Sequence, residues 1–118
     1  MNVRIETIGQ STLVIPEGRL DFGTSPNFEK QLEQALAGAT AAPAALIIDC
    51  AGLDSVSSAG LRAFLVTGRA AQRAGVRFAL CALKPAVREV FDLSGFSRII
   101  AVHPDRATAL AHAQPGQA

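Results

Sequence analysis

The run Ala45-Leu46-Ile47-Ile48-Asp49-Cys50, continued by Ala51-Gly52-Leu53-Asp54-Ser55-Val56-Ser57-Ser58-Ala59-Gly60-Leu61-Arg62, decides how this chain folds. Its first part is apolar at almost every position, so both faces of a strand built from it would need cover. Such a strand belongs at the centre of a parallel sheet with helices packed against it. The second part leaves the strand over Gly52 to Val56 and enters a helix opening at Ser57-Ser58. Leu61, Phe64, Leu65, Gly68 and Ala71 then recur at helical spacing and predict a buried stripe, with Arg62, Arg69 and Arg73 on the opposite side. Gly75 ends this helix.

Toward the N-terminus, Val3, Ile5 and Thr7 alternate with Arg4 and Glu6 and predict a half-buried strand. Gly9-Gln10-Ser11 marks a turn into a second strand, Thr12 to Pro16, hairpinned to the first. Gly18-Arg19-Leu20-Asp21 continues or closes that strand, with a bulge or bend at the Pro and Gly. Ser25-Pro26 starts a helix, because serine can cap free amides and proline is tolerated at the first helical position. Phe28, Leu32, Ala35 and Leu36 form its apolar face, Gly38 ends it, and a loop reaches Pro43.

Toward the C-terminus, Val76 to Leu83 reads as a strand and Lys84-Pro85 opens a short helix. That helix carries Val87, Val90 and Phe91 inward and stops at Gly95. Ile99 to Val102 is the last strand, and Asp105 caps a final helix from Arg106 to Ala113. The order β-β-α-β-α-β-α-β-α predicts a single α/β domain over residues 1–113, a mixed and mainly parallel sheet of about five strands with about four helices. Residues 114–118 are expected to form a disordered tail.

Composition narrows the function. The 118 residues suit one domain, and 49% hydrophobic against 18% charged residues supply a core. A formal net charge of +1 gives no electrostatic basis for a nucleic-acid partner. The most apolar segment, Ala39 to Cys50, is broken by Pro43 and Asp49, so direct membrane insertion is not expected. The N-terminus alternates polar and apolar residues, unlike a signal peptide, which predicts a cytoplasmic protein. Cys50 and Cys81 each lie in an apolar run. They read as two buried thiols acting as small hydrophobes rather than as a disulfide or redox pair.

The Ser57-Ser58 segment carries the functional signal. Sites in open α/β sheets collect at the carboxyl ends of strands. A helix start presents unpaired N–H groups and partial positive charge, where an anion is stabilised. A serine there can be a phosphorylation point. It can equally be an ordinary N-cap, with Ala59-Gly60 simply allowing close packing, and on the residues alone the cap is the simpler reading.

The pattern of segments resembles the STAS domain of the anti-sigma-factor antagonists over nearly the whole chain. Gly18-Arg19-Leu20-Asp21 is similar to the family motif closing the second strand. Leu46-Ile47-Ile48-Asp49 followed by Val56-Ser57-Ser58-Ala59-Gly60-Leu61-Arg62 is similar to its central signature. Arg88-Glu89-Val90-Phe91-Asp92-Leu93-Ser94-Gly95 resembles the segment before its final strand. The resemblance implies partner switching. The unmodified protein binds an anti-sigma factor that is also a serine kinase, phosphorylation at the start of the second helix ends binding, and a serine phosphatase restores it. A common family pattern is Asp-Ser-Ser-Gly-Leu, with the serine next to Gly modified. Here Ala59 holds that position and Ser57 replaces the Asp, which makes Ser58 the first candidate acceptor, Ser57 the second and Ser55 a weaker third. The implied partner surface comprises Asp21, Ser57, Ser58, Ala59, Gly60 and Arg62. The resemblance also admits an alternative, a non-phosphorylated STAS adaptor subunit of a signalling or membrane-transport complex.

Other residues are read more plainly. Asp21 either lies near Ser58 at the partner face or bonds its own loop. His103 and His112 read as surface residues, with no further ligands at metal spacing. A hydrolase built on Ser57 or Ser58 would need His103 as base, and the sequence has no Gly-x-Ser-x-Gly elbow. It also has no phosphate-binding glycine motif. No enzymatic activity and no cofactor are therefore expected.

Overall fold

The computed structural model describes residues 1–39 and 45–113, so the loop expected up to Pro43 falls largely, and the tail 114–118 wholly, outside the described residues. The elements are β1 (Asn2–Ile8), β2 (Ser11–Leu20), α1 (Ser25–Ala39), β3 (Ala45–Asp49), β4 (Leu53–Val56), α2 (Ser58–Ala74), β5 (Arg77–Cys81), α3 (Pro85–Ser94), β6 (Ala101–His103) and α4 (Arg106–His112). The main sheet runs β1-β2-β3-β5-β6, and β4 pairs with the far end of β2. Only the β1–β2 hairpin is antiparallel; β3, β4, β5 and β6 join in parallel.

The sheet is therefore the predicted mixed, mainly parallel one, with one strand more than expected. Residues Leu53–Val56, read as the exit from β3, form β4. The register shifts between Gly18 and Arg19, a bulge that ends at Leu20↔Val56. Gly18 holds φ +107, a conformation only glycine adopts readily, and its amide bonds Gly52 O at 2.9 Å.

Alternation along the strands sends side chains to two different faces. Val14, Leu46, Ile48 and Leu80 pack under Phe28 and Leu32 of α1, Phe64 of α2 and Phe91 of α3. Phe28, Phe64 and Phe91 form a chain with ring centroids 5.6 and 5.5 Å apart. All three are fully buried, each contributing about 1.5–3 kcal/mol. The opposite face holds a smaller cluster, Leu13, Ile15, Ile47 and Cys81, under Ala109 of α4. An ion pair fixes α4 there: Arg106 donates to Asp49 Oδ2 at 2.9 Å, while Asp49 Oδ1 accepts the Ala51 amide.

Several local expectations shift. β1 forms, but it is an edge strand with only Val3 half-buried; Ile5 and Ile8 are exposed because no helix reaches over them. The buried residues of α2 are Gly60, Ala63, Phe64, Thr67 and Ala71, so the stripe is rotated and Leu61, Leu65 and Gly68 are only half-buried. α1 continues one residue past Gly38. β6 starts at Ala101, because Phe96–Arg98 form a 3-10 turn that leaves Ile99 exposed. Gly75 and Gly95 close α2 and α3 in the left-handed conformation, as the sequence indicates.

Candidate functional site

The carboxyl ends of β2 and β4 bring the second helix to the surface. Leu20, the last residue of β2, accepts the Ser57 amide at 2.8 Å. Ser57 has extended backbone (φ −87, ψ 173) and caps α2, its hydroxyl accepting the Gly60 amide at 3.3 Å. The Leu61 amide closes the first turn on Ser57 O at 2.9 Å. Gly60 is buried against Leu20; a Cβ there would lie 2.7 Å from Leu20 Cγ and 3.2 Å from Leu20 O. The glycine thus lets α2 seat on the strand, and it offers no surface to a partner.

That seating orients the neighbouring residues. Ser58 is the first residue of α2 and is exposed, while Ser57 and Ala59 are half-buried. Ser55 and Arg62 are exposed. The first turn of α2 carries no acidic side chain, so the positive end of the 17-residue helix meets no acidic side chain of its own at that end. Arg62 follows Ser58 by four residues, the spacing at which helical side chains are neighbours.

Asp21 bonds its own loop. Its Oδ1 accepts the amides of Gly23 and Thr24 at 3.0 and 3.1 Å, so it organises the turn between β2 and α1. The Thr24 amide, aided by the Gly23 amide, the Thr24 hydroxyl and Arg19, holds this carboxyl below its ordinary range. Ser25 differs from the expected cap. Its hydroxyl donates to Asp21 O and it is 4% exposed, so it serves the turn rather than the helix amides. One contact beside the site has no signal in the sequence: Lys84, before α3, donates to Asp54 of β4 and holds that carboxyl low.

The remaining candidates lie elsewhere. His103 pairs with Cys81 in register, which puts it on the α4 face of the sheet, away from α2. It stacks on His112 with centroids 4.9 Å apart. The two histidines read as separate surface residues are thus one pair, and His103 is not placed to act as a base on Ser57 or Ser58. Burial, then the neighbouring His112, lowers the His103 pKa. Cys50 and Cys81 are free and buried, as expected; burial pushes Cys50 well up and Cys81 up to about 12. Among the described residues no group of three or more His, Cys, Asp or Glu could hold a metal, and no helix is long and apolar enough to cross a membrane. Arg69 and Arg73 are exposed along α2.

Known proteins share this fold. The family model of the STAS domain matches residues 2–109. A Bordetella bronchiseptica protein named anti-sigma factor antagonist BtrV is 42% identical over 66 residues, 56% of this chain and 57% of that protein. The match therefore spans little more than half of that relative. A Mycobacterium tuberculosis protein named an anti-anti-sigma factor is 31% identical over 113 residues, 93% of this chain and 74% of the relative. The crystal structure of an anti-sigma factor antagonist from Mycobacterium paratuberculosis superimposes with a TM-score of 0.85 at 24% identity, covering 95% of this chain and 92% of that one. That likeness is one of fold.

Proposed function

The chain belongs to the STAS domain family, and from that premise we propose that it is a cytoplasmic anti-sigma-factor antagonist switched by phosphorylation of Ser58. It acts by binding, not by catalysis. Unmodified, the surface around Ser58 docks an anti-sigma factor that also serves as the serine kinase. Phosphorylation releases that partner, and a serine phosphatase resets the cycle. The names of the two relatives support antagonism. The observation that carries the switch is the exposure of Ser58 at the amino end of α2, whose first turn holds no acidic side chain.

The chemistry favours an interface switch over a fold switch. A phosphoserine adds about −1.5 to −2 charge. Within the free protein that charge meets a helix N-terminus, worth about 0.3–1 kcal/mol, and Arg62 one turn on. A docked partner would instead have to desolvate the dianion. Losing about 3 kcal/mol weakens binding by more than a hundredfold. Ser57 is the second acceptor, because it is half-buried and its hydroxyl already accepts the Gly60 amide.

The test is incubation with ATP and each serine-kinase anti-sigma factor of the host, followed by mass spectrometry and titration calorimetry on both forms. The expected result is one phosphate on Ser58, an affinity drop above a hundredfold and an unchanged circular dichroism spectrum. Equal affinity of the two forms, or unfolding on phosphorylation, overturns the reading.

A further inference from the structure

We propose that β1 is a self-complementary edge, along which two copies of this chain join their sheets antiparallel about a two-fold axis at Ile5. The proposal does not depend on the antagonist reading. β1 ends the sheet, with β2 on one side only. Every residue of the strand but Val3 is exposed, and Ile5 keeps 49% of its surface open. A strand left this way offers its unpaired backbone to another strand.

Register decides which backbone groups are open. In the hairpin, Val3↔Pro16, Ile5↔Val14 and Thr7↔Thr12 alternate with Arg4↔Ile15 and Glu6↔Leu13. Pairs of an antiparallel ladder alternate between those that exchange hydrogen bonds and those that do not. Proline has no amide hydrogen, which suits Val3↔Pro16 to the unbonded set. Gln10 agrees: its carbonyl accepts the Ala45 amide at the start of β3, so the even-numbered residues from Gln10 to Pro16 turn their backbone toward β3 and away from β1. Val3, Ile5 and Thr7 are therefore the residues whose N–H and C=O point out from the free edge.

Backbone and charge select one register. A two-fold axis at Ile5 sets Val3, Ile5 and Thr7 opposite Thr7, Ile5 and Val3 of the second copy, so each outward amide and carbonyl meets a partner. The same axis sets Arg4 opposite Glu6 and Glu6 opposite Arg4, in the unbonded pairs where side chains come closest. The next register in either direction that keeps the backbone bonds sets Arg4 against Arg4 or Glu6 against Glu6, which like charge disfavours. Neighbouring charges extend the match. Arg4 lies 3.6 Å from Glu17 and Arg106 lies 3.9 Å from Glu6, both exposed pairs. Across the contact Glu17 and Arg4 of one copy continue into Glu6 and Arg106 of the other, a row alternating in sign that the axis repeats. On the other face Ile5 meets Ile5. The occupant is a second copy because the charges of this strand complement their own reverse.

The experiment follows mass against concentration by sedimentation equilibrium for the wild-type chain, Arg4→Glu, Glu6→Arg, an equal mixture of those two variants, and Arg69→Glu. Circular dichroism checks each fold; all three positions are exposed. Arg69 lies on α2 and controls for net charge. The wild type and Arg69→Glu are expected to dimerise alike, and each edge variant alone about tenfold or more weakly. The mixture should regain the wild-type affinity, because opposite charges again face each other at both positions. A wild-type chain that stays monomeric up to about 1 mM overturns the proposal. Edge variants that dimerise like the wild type, a mixture no tighter than its components, or an equal loss for Arg69→Glu also overturn it.

Discussion

Helices α1 and α2 begin at the same end of the sheet, each after a strand of the parallel set, and each opens on a serine. Ser25 of α1 is 4% exposed, with amide and hydroxyl both bound to Asp21 O. Ser58 of α2 faces solvent. The difference comes from what precedes each serine. A self-bonded turn, Asp21 to Thr24, folds back over the start of α1 and absorbs Ser25. Before α2 the chain arrives along β4, and Ser57 takes the cap. Gly60 then seats the helix on Leu20. Residues 58 and 60 are about 200° apart around a helix, so burying one turns the other outward. A hydroxyl at a helix start belongs to the fold or to the surface according to the loop before it.

The strongest way to break this comparison is to place a carboxylate at each serine. Ser25→Asp would bury a charge in a site whose neighbour is a carbonyl oxygen, and a loss of about 3–5 kcal/mol is expected in urea unfolding at neutral pH. Ser58→Asp should leave the unfolding midpoint unchanged and, by mimicking the phosphate charge, remove partner binding. Two variants of similar stability would show that Ser25 is no more enclosed than Ser58. Next in size is Gly60→Ala, whose Cβ would meet Leu20 Cγ at 2.7 Å. Overpacking set against the better helix propensity of alanine gives an expected net loss of about 1–2 kcal/mol. A stable Gly60→Ala would mean that the seating of α2 on Leu20 is not what turns Ser58 outward.

Much of the frame was legible because its signals are local. The apolar run of β3 marks a fully buried central strand, and the Ser57, Asp105, Gly75 and Gly95 caps fall where their chemistry requires. β4 was not legible: only Leu53 of its four residues is buried, and its partner is a bulged end of β2. The rotated stripe of α2 escaped for a related reason. Gly60, Ala63 and Thr67 are the buried positions, Gly60 because the backbone of Leu20 comes close there, and small residues carry little hydrophobic signal. Ile99 misled in the opposite direction, an apolar residue next to a strand yet 67% exposed after a 3-10 turn. At the site, the sequence marked Ser57 and Ser58 by their place before a helix. It left open whether Asp21 would spend its carboxylate on its own turn, and it gave no sign that Lys84 would tie α3 to Asp54. Those contacts join loops and depend on the folded sheet.

The smallest expected effect divides the two adjacent serines. Ser57→Ala removes the side-chain acceptor of the Gly60 amide, a bond of 3.3 Å. The backbone bonds from Ser57 N to Leu20 O and from Leu61 N to Ser57 O remain, so the helix keeps its entry angle. Loss of an N-cap hydroxyl costs about 1 kcal/mol. Ser58→Ala changes an exposed position in the first turn and should stay within about 0.5 kcal/mol of wild type. Chemical denaturation of both single variants and the double variant measures this directly, with the double expected to match Ser57→Ala. If Ser58→Ala proves the costlier change, the cap belongs to Ser58. Its hydroxyl would then be committed to the helix as firmly as that of Ser25 is to the turn, and the contrast between the two helix starts would be lost.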